Sequence, residues 1–309
     1  MFQVEAILWL QDHGGQAWQT AMVVVSMLGL SPAYAAFAIV AAFFVRMRAA
    51  VVLVIMLLST ALLVDCAKNS LALPRPDVVD ARVMGEQSAV VERGGASELW
   101  ALPPPQTVEA VRERATPDWG FPSGHVASAT TFAFGVRVLL PWRGAGWFAA
   151  AWIPLMALSR LSLGRHFIGD VLGGFAIGFA VFAIGRRSLA WIEANPASAR
   201  RMLALLPAAA AAVLGMAWVS ELVNPRYLGT LAGMLLVAWV LTTTGWPPRT
   251  SQSWQRVARC TAALALHGAG TLALTYFSPA PGMWALASAA ITMTALLLPT
   301  RAWARPSMC

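Results

Sequence analysis

Three short clusters of charged and histidine side chains interrupt an otherwise apolar chain. The first runs Lys68-Asn-Ser-Leu-Ala-Leu-Pro-Arg75-Pro76, the second is Pro122-Ser123-Gly124-His125, and the third extends from Ser159-Arg160 through Arg165-His166 to Asp170. Together they offer fixed cations, two imidazoles, a carboxylate and a helix N-terminus, a set whose natural guest is a phosphoryl group. Lys68, Arg75 and Arg160 can surround a dianionic phosphate, arginine with a planar fork of donors and lysine with a point charge. Ser123 reads as an N-cap, and the backbone N–H groups of Gly124 and His125 behind it add a helix-end anion site. His166 and Asp170 are separated by four positions and share a face if helical. The carboxylate can then accept from one ring nitrogen and leave the other to attack phosphorus. His125 supplies the remaining need, a proton for the leaving oxygen and its later removal from attacking water. No acidic cluster suited to Mg²⁺ or Zn²⁺ accompanies these residues, so the positive charge is expected from side chains, with no metal and no other cofactor.

The elements that must position these residues are membrane helices. Of 309 residues, 58% are hydrophobic and 12% charged, where a soluble domain averages roughly 25% charged. The apolar residues fall into long uncharged runs separated by short arginine-bearing breaks, at about 18–46, 50–67, 124–141, 145–163, 167–185, 202–222, 227–245, 257–277 and 282–300. Each is near the ~20 residues that cross ~30 Å of hydrocarbon, so nine spans in an all-α polytopic bundle are predicted. Pro32 inside the first implies either a kinked span or a re-entrant turn followed by a short span. Residues 1–16 lack a basic leader region and alternate Phe2, Ile7, Leu8 and Leu10 with Gln3, Glu5, Gln11 and Asp12, which predicts an interfacial helix.

Orientation follows from arginine, because short cytoplasmic loops retain basic residues. Alternate breaks carry Arg46 and Arg48, then Arg143, then Arg186, Arg187, Arg200 and Arg201, then Arg249, Arg256 and Arg259, then Arg301 and Arg305. That places the C-terminus inside, the N-terminus outside, and all three clusters on the outer side. A long outer loop, 69–120, holds Asp77, Asp80, Glu86, Glu92, Glu98, Glu109, Glu113 and Asp118 of the chain's 14 acids. With Pro103, Pro104 and Pro105 it reads as a partly ordered lid containing one short helix around Val108 to Arg114. The net charge of +8 does not indicate nucleic acid, since every arginine cluster is flanked by an apolar run. Trp142, Trp147, Trp246 and Trp284, near predicted span ends, read as interfacial anchors. Cys66, Cys260 and Cys309 are odd in number and form no metal-ligand pattern.

At the three clusters the chain resembles the type 2 phosphatidic acid phosphatase superfamily, which also includes glucose-6-phosphatase, bacterial acid phosphatases and vanadium haloperoxidases. The family pattern Lys-x6-Arg-Pro, Pro-Ser-Gly-His and Ser-Arg-x5-His-x3-Asp is present in order, over roughly residues 30 to 186. The resemblance implies a metal-independent phosphatase with a phosphohistidine intermediate. It further implies Lys68, Arg75, Ser123, Gly124 and Arg160 as phosphate binders, His125 as general acid, His166 as nucleophile and Asp170 as its partner. Arg165 occupies a variable position of the third motif and stands open between a second-layer or head-group contact and an interfacial charge. The expected organisation is an interfacial segment 1–16, a phosphatase core 17–190 of about five to six spans, and about four additional spans in 200–309. Nine spans with the N-terminus outside are similar to the glucose-6-phosphatase arrangement, a likeness that does not transfer the substrate.

A lipid phosphate or diphosphate is the expected substrate, because the clusters lie at interface depth in what reads as a bacterial inner membrane. Phosphatidic acid, phosphatidylglycerol phosphate, undecaprenyl diphosphate and sphingoid phosphates all fit. Membrane lipids are the other expected partners, and the oligomeric state is left open. A phosphotransferase using the same site, a soluble sugar-phosphate phosphatase, and a transporter with a degenerate phosphate pocket are the alternatives.

Overall fold

A computed structural model describes residues 1–113, 118–139, 143–247, 252–277 and 279–302. Arg114, Trp142, Arg249, Arg305 and Cys309 lie outside the described residues. The described chain is helical, with no strand beyond an isolated bridge between Asp80 and Arg93. Among the described residues, five apolar stretches are long enough to cross a membrane: Ser31–Val79, Ile168–Ala194, Pro225–Thr244, Ser253–Phe277 and Pro281–Arg301. A sixth arises if Pro196–Leu203 and Leu206–Val219, bent by 41°, form one span. The protein is a polytopic helical bundle.

Against the nine spans expected, five or six helices among the described residues have both that length and that apolarity. Helix α1 is Glu5–His13, α2 is Gln16–Leu28 with only 13 residues, and α3 is Ser31–Ala41. A π-turn, Ala42–Arg46, joins α3 to α4, Met47–Leu71, without a break. The loop predicted between 46 and 50 does not exist, and the chain breaks instead at Gly29 and Leu30. Two arginines do not stop a helix when no glycine or proline accompanies them, because their long stems carry the charge away from the backbone. Pro32 opens α3 rather than kinking a span, at a position where its missing N–H costs nothing.

After α4, α5 is Pro76–Val79 and α6 is Pro105–Arg112, so the lid helix starts three residues earlier than expected, on Pro105 at its first turn. Helix α7 is Gly124–Leu139, α8 Ala145–Ser162 and α9 Ile168–Ala194. Then follow α10, Pro196–Leu203, α11, Leu206–Val219, α12, Pro225–Thr244, α13, Ser253–Phe277, and α14, Pro281–Ala302.

The chain forms two compact units. One comprises Met1–Ala33, Leu63–Arg137 and Trp142–Phe182 and contains all three clusters. Its core joins Val4, just before α1, and Ile7 of α1 to Val78, Val79, Val83, Val111 and Phe167, so α1 is packed into this unit along one face while Trp9 stays exposed. Within it α7 and α9 approach through glycine: a Cβ on Gly174 would lie 2.4 Å from the Ser123 carbonyl, and one on Gly178 would lie 2.3 Å from that of Ala127. The other unit comprises Tyr34–Leu62, Val138–Pro141 and Ala183–Cys309. There α12 packs on α14, with Gly229 against the Ala285 carbonyl and Gly233 against Ala289, the small-residue contact by which helices associate in lipid.

Candidate active site

Helix ends carry the site. Lys68 is on the last turn of α4, Arg75 caps α5, His125 is the second residue of α7, Arg160 is on the last turn of α8, and Asp170 is on the first turn of α9. His166 stands in the turn between α8 and α9. That turn depends on Gly164, whose φ of +65° disfavours other residues and whose added Cβ would lie 2.4 Å from the Met84 carbonyl.

Six of the eight predicted residues, Lys68, Arg75, Gly124, His125, Arg160 and His166, line one cavity of about 720 Å³. The other two, Ser123 and Asp170, are fully buried behind its wall. Asp170 Oδ2 accepts from Phe167 N at 2.9 Å and lies 3.3 Å from His166 Nδ1, while the Asp170 carbonyl accepts from Ser123 N at 2.9 Å. One residue thus ties the second cluster to the third and orients the imidazole, leaving Nε2 for the cavity that His166 lines. Burial first, then the charges of Arg75, Lys68 and Arg160, keeps that ring neutral well below the ordinary histidine range. A neutral ring is the form that can attack.

Facing it are groups without protein partners among the described residues: His125 Nε2, Arg160 Nε and the Ser123 hydroxyl. Unpaired buried polar atoms are costly, and several lining or backing one cavity are what a polar guest would satisfy. Ser123 departs from expectation here. Its carbonyl accepts from Ala127 N at 3.0 Å, the N-cap backbone position, yet its Oγ caps nothing. Lys68 Nζ donates to the Trp119 carbonyl at 2.8 Å, and Arg160 Nη1 donates to Ser26 Oγ.

The cations are already partly occupied by a carboxylate network that the sequence did not reveal. Arg75 donates through Nη2 to Asp118 Oδ1 at 2.6 Å, through Nε to the Asp118 carbonyl at 3.1 Å, and through Nη1 to the Arg165 carbonyl at 3.1 Å. Arg165 reaches Asp118 Oδ2 at 2.7 Å, Asp77 Oδ2 at 3.2 Å and Glu86 Oε2 at 3.2 Å. Arg165 is therefore buried and held by the lid, not a loose interfacial charge. Burial works against ionising Asp118, but the charge and hydrogen bond of Arg75, aided by Lys68 and Arg165, overcome it and lower its pKa.

Sequence reasoning also missed the N-terminal helices. Gln11, Gln19 and Ser26 line the same cavity. Gln11 Nε2 donates to the Met84 carbonyl at 2.7 Å and to that of Ser162 at 3.1 Å, pinning the lid to the end of α8. Ser159 Oγ donates to the Met22 carbonyl at 2.7 Å, which fastens α8 to α2.

Residues 48–194 match the family model of the PAP2 superfamily. The matched residues make up just under half of the chain and are similar to the PAP2 superfamily. No curated protein and no solved structure matches it. Similarity to this superfamily, which includes phosphatases, supports a phosphoester hydrolase here. The matched segment takes in Lys68, Arg75, Ser123, Gly124, His125, Arg160, His166 and Asp170, and it omits α1, α2, α3, the π-turn and everything beyond α9. Gln11, Gln19 and Ser26 thus reach the cavity from outside the matched segment.

Proposed function

We propose that the protein hydrolyses a lipid phosphate or diphosphate through a phosphohistidine on His166, with the site open to the extracytoplasmic face of a bacterial inner membrane. The observation that carries this reading is the His166–Asp170 pair set in the wall of a cavity that also holds Lys68, Arg75, Arg160 and the unpaired His125 Nε2. In the proposed reaction Lys68, Arg75 and Arg160 bind the phosphoryl oxygens, and the Ser123 hydroxyl and Gly124 N–H add donors. His166 Nε2 attacks phosphorus, and Asp170 stabilises the resulting imidazolium. His125 gives a proton to the departing oxygen, an alcohol from a monophosphate or a lipid monophosphate from a diphosphate, then takes one from the water that cleaves the phosphorus–nitrogen bond. Side chains supply all the positive charge, so no divalent metal is needed.

A lipid substrate is favoured over a soluble one by the elements around the cavity. Val23, Met27 and Leu30 of the α2 region line it beside the cations, and α2 exposes Val24 and Leu28. An acyl or prenyl tail could stay among such side chains, whereas moving it into water would cost ~0.8 kcal/mol per methylene. The test is phosphate release in detergent with EDTA present, from phosphatidic acid, undecaprenyl diphosphate and a sphingoid phosphate, with glucose 6-phosphate beside them. Higher kcat/KM for one or more lipids supports the reading. Equal efficiency on glucose 6-phosphate moves it to the sugar-phosphate alternative, and labelled acceptor alcohol in place of free phosphate moves it to a phosphotransferase.

A further inference from the structure

A second, smaller cavity of about 270 Å³ lies within the unit that contains Ala183–Cys309, between the start of α4, the end of α7 and the end of α9. Arg186, Leu189, Ala190 and Glu193 reach it from one stripe of α9, at the i, i+3, i+4, i+7 spacing of a single helical face. Arg46 and Arg48 reach it from the π-turn and α4, with Ala49 and Val52 forming part of its apolar floor. Three guanidinium groups therefore share a small concavity with one carboxylate.

None of the ion pairs among the described residues involves Arg46, Arg48 or Arg186. Like charges gathered without partners repel one another, and an added anion relieves that repulsion. The position also selects the kind of anion. The apolar run of α9 ends at Gly185, so Arg186 stands where hydrocarbon gives way to head groups, and Arg46 and Arg48, which interrupt the apolar stretch Ser31–Val79, meet it there. Trp191, exposed one turn beyond Arg186, has the amphipathic ring that favours this depth. Basic pockets between membrane helices accept phosphate head groups, with the apolar floor beneath them contacting the glycerol and first methylenes.

We infer that this cavity binds the phosphodiester head group of an anionic phospholipid, separately from the catalytic cavity and with Arg46, Arg48 and Arg186 as its ligands. Glu193 opposes the bound charge and sets the affinity. The inference does not depend on the chemistry at His166.

The test titrates the full chain in nonionic detergent with short-chain phosphatidylglycerol, phosphatidylcholine of the same chain length, and inorganic phosphate, counting bound lipid by native mass spectrometry. Phosphatidylglycerol should bind at least ~10-fold more tightly than phosphatidylcholine. The double variant R46Q/R186Q should lose about one decade of that affinity and one retained lipid, while E193Q should gain affinity. Elution volume and lipid-free melting temperature report that both variants are folded; if R46Q/R186Q fails this check, R48Q and E193Q alone carry the test with opposite signs. The inference is overturned if the variants bind phosphatidylglycerol as the unaltered chain does, or if phosphatidylcholine binds as tightly. It is also overturned if inorganic phosphate displaces the lipid at matched concentration, which would mark a site for soluble anions.

Discussion

Asp118 Oδ1 lies 2.6 Å from Arg75 Nη2, so a guanidinium assigned to the substrate's phosphate is held by a carboxylate of the chain itself. The other Asp118 oxygen is 2.7 Å from Arg165. One carboxylate of the chain therefore stands as an internal anion between two arginines. A phosphate reaching Arg75 must share or displace it.

Replacing that anion should ease binding. In D118N the cations keep their places but lose a competing charge, and the inhibition constant for vanadate or inorganic phosphate should fall about threefold to tenfold, roughly 1 kcal/mol for a half-exposed pair. Unchanged or weaker inhibition would mean that Asp118 positions the arginines more than it competes for them.

The same lid should set the acid limit of stability. Asp118 and Asp80 are both held below the usual carboxylate range; burial opposes this in each, and Arg75 for the first and the Arg82 hydrogen bonds for the second overcome it. Carboxyls with depressed folded pKa values contribute stability that is complete above the unfolded value, about pH 4, and is lost as pH falls through the folded values. The melting temperature should hold steady from pH 7 to about 5 and fall below about 4. In D80N that acid-side fall should be shallower. An identical acid limb in D80N would contradict the assignment.

The division of labour between the histidines is separable by leaving group. H166A should lose turnover of every substrate by roughly four decades or more, since the attacking atom is gone. H125A should slow phosphoenzyme formation about 10²- to 10⁴-fold from a lipid phosphate but much less from p-nitrophenyl phosphate, whose leaving oxygen needs no proton. Equal slowing of that step with both substrates would show that His125 is not the acid that protonates the leaving group.

Close packing of α7 on α9 should matter as much as the reacting groups. A side chain at Gly178 would meet the Ala127 carbonyl, with its Cβ 2.3 Å away. G178V should lower stability by about 1–3 kcal/mol, read as a fall in melting temperature, and should reduce kcat by moving α9, which carries Asp170, away from α7, which carries His125. A G215V control, at a position with open space around it, should leave both unchanged.

What could be read from the sequence depended on the range of the interaction. His166 and Asp170 are one helical turn apart, and Lys68 and Arg75 border one turn, so local spacing reveals their partnership. Asp118 meets Arg75 across 43 residues and Arg165 across 47. Nothing in the composition of an acidic, proline-rich loop says which of its acids folds back. Gln11, Gln19 and Ser26 were hidden for another reason: a few polar residues on α1 and α2 look like ordinary interfacial or helix-contact positions until the cavity is seen. The bundle was legible from hydropathy, but the helix boundaries were not. Arg46 and Arg48 resemble a loop by charge, yet the backbone there lacks any residue that ends a helix, and α4 simply continues.

The most direct measurement is the covalent intermediate itself. The unaltered protein and H125A would be mixed with p-nitrophenyl phosphate, quenched in alkali to preserve phosphohistidine, digested and mapped by mass spectrometry. The account predicts phosphate on His166, accumulating further in H125A if its slowed step is the hydrolysis of the intermediate, and absent in H166A. Turnover with phosphate on another residue, or with labelled water incorporated and no phosphohistidine trapped under any quench, would contradict it.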